Sequence, residues 1–381
     1  MPNLRPKHLA SRLTEAQTRT VLSTISFPHF TPTSSLPPPT LTTLSLLHIH
    51  FLTTFPFEAL SLNYEPGGLM SPHLPDIYSR FVERRLGGGY CLQVNQLYRE
   101  MLSALGFRWI GVMGRVFANG DWSGLTHTTT LVLLDSHVDS SKKVYYLSDV
   151  GFGSSPHRPL LLRDGWEEFG RGGEKFRLVK ADVHPSSIFE ESDEQTDDAE
   201  VLAIASNQTT WRLQNRKKAD KDWENCYSFS PLECFTPDYI ATNKATSHAQ
   251  SVPFATTILV VRYLLHLQLV SQSEALVERD GLAKDLYPYH PSVVEQRLIV
   301  GDRYLVRVGD EVKVDKVISS EEERVGLLKS EFGLLQHVET QVAVNEISGK
   351  PSRLKSDEKK VKEEHKVEVN GSSTRSTIDT A

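Results

Sequence analysis

Cysteine is scarce in this chain. Only Cys91, Cys226 and Cys234 occur in 381 residues, an odd and small number that argues against a disulfide framework and a cysteine-based zinc site and fits a reducing compartment. Positive charge is not in excess either: 42 basic against 48 acidic residues leave a net charge of -6, which removes the general electrostatic case for nucleic acid or an anionic membrane as partner. Long apolar runs are missing too. The opening stretch MPNLRPKHLASRLTEAQ has no apolar run before a small-residue cleavage site, so no secretory signal is expected. The most hydrophobic later stretch, residues 256–270, is interrupted by Arg262 and His266 and is too short to span a bilayer. A soluble cytoplasmic protein of two or three domains is expected.

What is present centres on residues 86–107, LGGGYCLQVNQLYREMLSALGF. Gly87, Gly88 and Gly89 propagate a helix poorly, so the helix is predicted to begin at or near Cys91. Val94, Leu97, Tyr98, Met101, Leu102 and Leu105 recur at three and four residue intervals, which predicts one buried stripe. Gly106 ends the helix where a left-handed cap is expected. A thiol so placed sits beside unpaired N–H groups and the positive end of the helix dipole, both of which favour the nucleophilic thiolate.

The first hundred residues read as mostly helical, with a Pro, Ser and Thr-rich loop over 28–43 and a helix over 77–85 capped by Asp76. His48 and His50 lie two apart, on different helix faces, and read as packing or surface residues rather than metal ligands. From Phe107 the pattern changes to alternation. A turn at 118–121 follows the first strand; residues 126–134 form a second, β-branched strand, and 144–147 the return strand. Further short strands are expected at 176–179, 210–214 and 226–229, around an acidic insertion, 190–200, that reads as solvated or disordered. Later come a strand over 256–267, a hairpin of 295–300 and 303–308, and a helix capped by Ser319 with Glu322. Beyond about Glu339 the composition predicts a disordered polar tail. There is no internal repeat.

A cysteine nucleophile needs a base and a group to orient that base. His127 starts the second strand of the β region and Asp149 ends the return strand; antiparallel pairing would place the two side by side. At this point the residues resemble the arylamine N-acetyltransferases. The resemblance runs through FPFEALSL (55–62), GGYCLQVNQLY (88–98), LGF (105–107), SGLTH (123–127), DVGFG (149–153), PLLL (159–162) and YSFSP (227–231), in family order across residues 1–337. It implies an α+β fold: a helical domain over 1–106, a central β-barrel over 107–231, an α/β lid over 232–338, and the polar tail over 339–381. It also implies a cysteine-protease-like triad of Cys91, His127 and Asp149, with Asn95 and Tyr227 hydrogen-bonding the aspartate. Substrate contacts are implied at Phe152, Gly124, Thr126 and Phe254.

The activity implied is acyl transfer from acetyl-CoA or malonyl-CoA, through an acyl-cysteine, to an arylamine or arylhydrazine, in xenobiotic detoxification, with no permanently bound cofactor and no metal. Two other readings use the same residue types: a papain-like hydrolase or transglutaminase, and a non-catalytic relative that binds a ligand. The glycine run is no phosphate loop, because no Lys-Ser/Thr follows it. Two departures from the family stand out. Gly87 occupies the place of an arginine four residues before the cysteine, and Ser247 to Phe254 replaces the pattern Ser-Pro-x-Ser-x-Phe. Gly87→Arg is expected to be tolerated unless Arg84 or Arg85 already fills that space.

Overall fold

The computed structural model describes residues 5–181, 184, 187–188, 196–206, 208–248 and 253–355. Its helices are α1 (Glu15–Thr24), α2 (Leu41–Thr54), α3 (Ser61–Tyr64), α4 (Leu74–Tyr78), α5 (Cys91–Ala104), α6 (Ala199–Ser206), α7 (Thr236–His248), α8 (Leu267–Val270), α9 (Ser273–Arg279), α10 (Glu321–Ser330) and α11 (Thr340–Glu346). Its strands are β1 (Arg108–Ala118), β2 (Asp121–Asp135), β3 (Lys143–Ser148), β4 (Leu160–Leu161), β5 (Trp166–Phe169), β6 (Lys175–Ala181), β7 (Thr210–Arg216), β8 (Glu224–Phe229), β9 (Leu259–Leu265), β10 (Val294–Val300), β11 (Arg303–Val308) and β12 (Glu311–Val317).

The two long helices form for reasons visible in the chain. In α5 Val94, Leu97, Tyr98, Met101 and Leu102 are all buried, and they meet Leu44, Leu47 and Phe51 of α2 in the largest core cluster. The stripe is backed by edge-to-face packing, Phe51 lying 5.0 Å from Tyr98. Thr40 caps α2 by accepting from Thr43 N at 3.2 Å. His48 and His50 are packing residues: His48 bonds Ser148 Oγ and Pro156 O, and His50 bonds Ile25 O and Tyr289 Oη. Burial holds His48 down at about 4, so it is neutral there.

The β region is one antiparallel eight-stranded sheet in the order β4-β3-β2-β1-β8-β7-β6-β5. It curls until β4 approaches β6, giving a nearly closed barrel. Val112, Leu131, Leu147, Phe176, Leu178, Leu213, Tyr227 and Phe229 fill its interior. Asn119 and Gly120 supply the positive φ that the tight β1–β2 turn needs. A second antiparallel sheet, β12-β11-β10-β9, carries α10 and α11 on one side.

Several expected boundaries move. The second strand starts at Asp121 rather than at residue 126, and β4, β5 and β12 join the predicted strands. The α10 cap is Ser320, which accepts from Glu323 N, one residue later than expected. Asp76 is not a cap; it accepts from Ser71 Oγ inside α4, whose N-cap is His73, and a π-turn over Ser79–Glu83 follows. The polar tail does not start at residue 339. Ala343, Val344, Ile347 and Leu354 are buried against α10, whose fully buried Glu321–Arg324 pair also holds Leu354 N and Ser352 O. Most of the acidic insertion and residues 356–381 lie outside the described residues. Among the described residues no helix is long and apolar enough to cross a membrane.

Candidate active site

Cys91 is the first residue of α5, after the N-cap Tyr90, so its N–H is among the four that have no acceptor within the helix. Its Sγ points toward Thr126 O at 3.7 Å, which places the thiol beside the start of the buried half of β2. His127 follows directly. The β1–β2 register sets His127 opposite Gly114, and the β2–β3 register sets Thr130 opposite Ser148. Asp149, one residue past β3, therefore lies next to His127, and its Oδ2 meets His127 Nε2 at 2.7 Å.

Each member is braced. Ser148, before Asp149, is gripped by Tyr98 of α5 at 2.8 Å and His48 of α2 at 3.0 Å. Asp149 Oδ1 accepts from Asn95 Nδ2 and from Gly151 N, both at 3.0 Å. Asn95, on the turn of α5 after Cys91, also donates to Thr128 O and accepts from Val150 N. Gly151 is required by proximity: a Cβ there would lie 2.8 Å from Cys91 Cα and from Asn95 Nδ2.

All three groups are nearly dry, with Cys91 4 %, His127 2 % and Asp149 1 % exposed. Burial alone would lower the His127 pKa, but the Asp149 carboxylate and Cys91 outweigh it and raise it to about 10. Burial pushes Asp149 up, and His127, Asn95 and the Gly151 N–H more than offset it, so its carboxyl ends below the usual range. With Nε2 committed to Asp149, Nδ1 is the nitrogen left for the thiol.

The remaining expected residues divide. Phe152 lies over His127 at 5.3 Å and over Tyr227 at 4.9 Å, as an aromatic wall of the site. The Tyr227 ring packs on His127 at 4.6 Å, and its buried hydroxyl faces Asp149 and Thr129. Burial together with the Asp149 carboxylate holds the phenol well above its usual pKa. Thr126 contributes its carbonyl to the thiol, while its hydroxyl bonds Ser123. Gly124 is exposed, with open space where a side chain would be. Phe254 stacks on Tyr90 at 5.0 Å and belongs to the cluster of Tyr90, Cys91, Leu92 and Met70. Ser251 lies outside the described residues.

Sequence reading missed the role of α7. Tyr90 Oη bonds Asn243 Oδ1 and Ser247 Oγ, both at 2.8 Å, and Gln93 Nε2 donates to Asn243 Oδ1 at 2.9 Å. Asn243 Nδ2 in turn donates to Met70 O. These are isolated polar side chains on a helix with no apolar stripe, so no periodicity announces them. The Gly87 expectation is also revised. Its φ is +142°, and a Cβ there would meet Leu334 Cδ2 at 2.7 Å and Glu58 Oε1 at 3.1 Å. The space is filled by neither Arg84 nor Arg85 but by Leu334 and the Glu58–Arg80 pair.

Known proteins resemble this chain in sequence and in fold. Residues 40–287 match the N-acetyltransferase family. The chain is 23% identical to the N-malonyltransferase FDB2 of Gibberella moniliformis over 288 residues, 71% of each protein. It is 35% identical to arylamine N-acetyltransferase 2 of Macaca mulatta over 133 residues, 34% of this chain and 42% of that one. The arylamine N-acetyltransferase of Mycobacterium marinum in complex with CoA shares the fold with a TM-score of 0.59 at 20% identity, covering 86% of this chain and 97% of that one. The chain belongs to the arylamine N-acetyltransferase family of acyltransferases.

Proposed function

We propose that the chain transfers an acyl group from an acyl-CoA to an arylamine or arylhydrazine in two steps, with Cys91, His127 and Asp149 as the working triad. The observation that carries this reading is the 2.7 Å His127–Asp149 contact beside a cysteine at a helix start. In the first step Cys91 Sγ, as thiolate beside the His127 imidazolium, attacks the thioester carbonyl. The C–S bond to the coenzyme breaks, and the departing thiolate takes the proton from His127. The acyl group now rests on Cys91 as a thioester of nearly the same energy as the donor.

In the second step the amine nitrogen attacks that carbonyl, His127 Nδ1 takes the nitrogen's proton, and the bond to Cys91 Sγ breaks to release the amide. The Cys91 N–H, unpaired within the helix, is suited to receive the developing oxyanion. Asp149 holds the ring and balances its charge without taking the proton. Phe152 and Tyr227 offer aromatic surface for the acceptor. The 2–4 % exposure of thiol and imidazole fits chemistry shielded from water better than a peptidase cleft.

Acetyl and malonyl donors both remain within the proposal, as does a cytoplasmic role in removing foreign amines. The direct test is mass spectrometry after incubation with acetyl-, propionyl- or malonyl-CoA. An adduct on Cys91 that a fixed arylamine then discharges is expected. A folded protein that takes no acyl group from any donor would sink the reading.

A further inference from the structure

We infer that Arg80 is the positioning residue for the loop that delivers Cys91, holding it through the buried carboxylate of Glu58. This deepens the acyl-transfer reading and rests on it for its meaning, though not for its test. The loop 86–90 is fixed against 56–58 by backbone bonds: Glu58 N donates to Gly89 O at 3.2 Å, and Gly89 N to Pro56 O at 3.3 Å. A Cβ on Gly88 would fall 1.9 Å from Pro56 O, so the two segments touch through bare backbone. Displacing 56–58 therefore displaces the N-terminus of α5.

Glu58 anchors that pair of segments and is completely buried. Its Oε2 accepts from Leu60 N at 2.6 Å, and its Oε1 faces Arg80 Nη2 at 3.4 Å. Burial leaves this carboxyl raised on balance, with Arg80 and the Leu60 N–H opposing the rise, so its ionised form leans on the guanidinium. Arg80 reaches it because the π-turn Ser79–Glu83 follows α4; the turn closes with Arg84 N on Ser79 O, and Leu86 N returns to Arg80 O at 2.9 Å. The same guanidinium bonds both oxygens of Glu65, at 2.8 and 3.1 Å. A cation cannot be supplied from the loop itself, since a side chain on Gly87 meets Leu334 and a φ of +142°. The chain brings it from seven residues upstream.

The test is the rate at which iodoacetamide alkylates Cys91, followed by peptide mass spectrometry, together with acylation at saturating donor. Folding is checked by near-ultraviolet circular dichroism. Arg80→Gln is expected to slow both reactions about tenfold while the donor KM stays within about twofold, because misplacement of the nucleophile acts on reaction rather than binding. Arg80→Lys should recover part of the loss, as a point charge cannot serve Glu58 and Glu65 together. If Arg80→Gln does not fold, the double variant Glu58→Gln/Arg80→Gln removes the fully buried carboxylate and leaves Glu65 its contacts with His337 and Ser61, and it is expected to fold yet stay slow. A wild-type rate in any folded variant lacking the guanidinium overturns the inference. A wild-type chain that is alkylated but never acylated defeats the acyltransferase reading and leaves this inference standing.

Discussion

His127 combines two opposing influences, and the sign of their sum has a measurable consequence. Its pKa in the fold is raised to about 10 by Asp149 and Cys91 against burial, above an ordinary value near 6.5. Stability from the charged ring is therefore fully present below the ordinary value and is lost as pH rises through the folded one. The melting temperature of the native chain relative to His127→Gln should fall as pH rises from about 6.5 to about 10; a constant difference would contradict the ion pair. Asn95→Ala removes three buried partners at once, from Asp149, Thr128 O and Val150 N. It should cost about 1–3 kcal/mol in denaturant unfolding and reduce turnover further, since Asp149 loses a brace. For Gly87→Arg the expected outcome is reversed from that drawn from sequence alone. With a positive φ and Leu334 2.7 Å from the new Cβ, it should destabilise the chain by about 2 kcal/mol or more, read as a lowered melting temperature.

The elements that position the triad were legible because their signals are local. Glycines before Cys91 mark a helix start, apolar spacing marks the buried face of α5, and β-branched residues mark β2. Antiparallel register then brings His127 to Asp149 with no long-range knowledge needed. Helix α7 was not legible, because its hold on the site is polar. Asn243 serves Tyr90, Gln93 and Met70 O, and such a network has no period to read. Its dependence on one amide makes a prediction at this scale. Asn243→Ala should leave three buried groups short of a partner and loosen α7 before anything else. Hydrogen exchange in Thr236–His248 should accelerate while α5 stays protected; uniform acceleration would mean that α7 is held by other contacts.

At the scale of the molecule, the second sheet and the residues after α10 act as a clamp on the helical layer. Lys350 Nζ bonds Leu62 O and Asn63 O at 3.0 and 2.9 Å, and Ser352 Oγ bonds Asn63 Oδ1 at 2.6 Å. Asn63 Nδ2 donates to Phe254 O, and Phe254 stacks on Tyr90 beside the nucleophile. Composition hid this clamp: 339–355 is mostly polar, and its few apolar residues matter because Ile347 and Leu354 fall on a core that reaches back to Leu60 and Tyr64. Ending the chain at residue 348 removes Lys350, Ser352 and Leu354, and leaves the buried Glu321–Arg324 pair without Leu354 N and Ser352 O. Relative to a chain ending at 355, it should lose about 3 kcal/mol or more of unfolding free energy, because a buried ion pair tolerates missing partners poorly. The two truncations should also differ in the acceptor KM, through the freed Phe254. Equal stability and equal KM would show that the final segment merely rests on the fold.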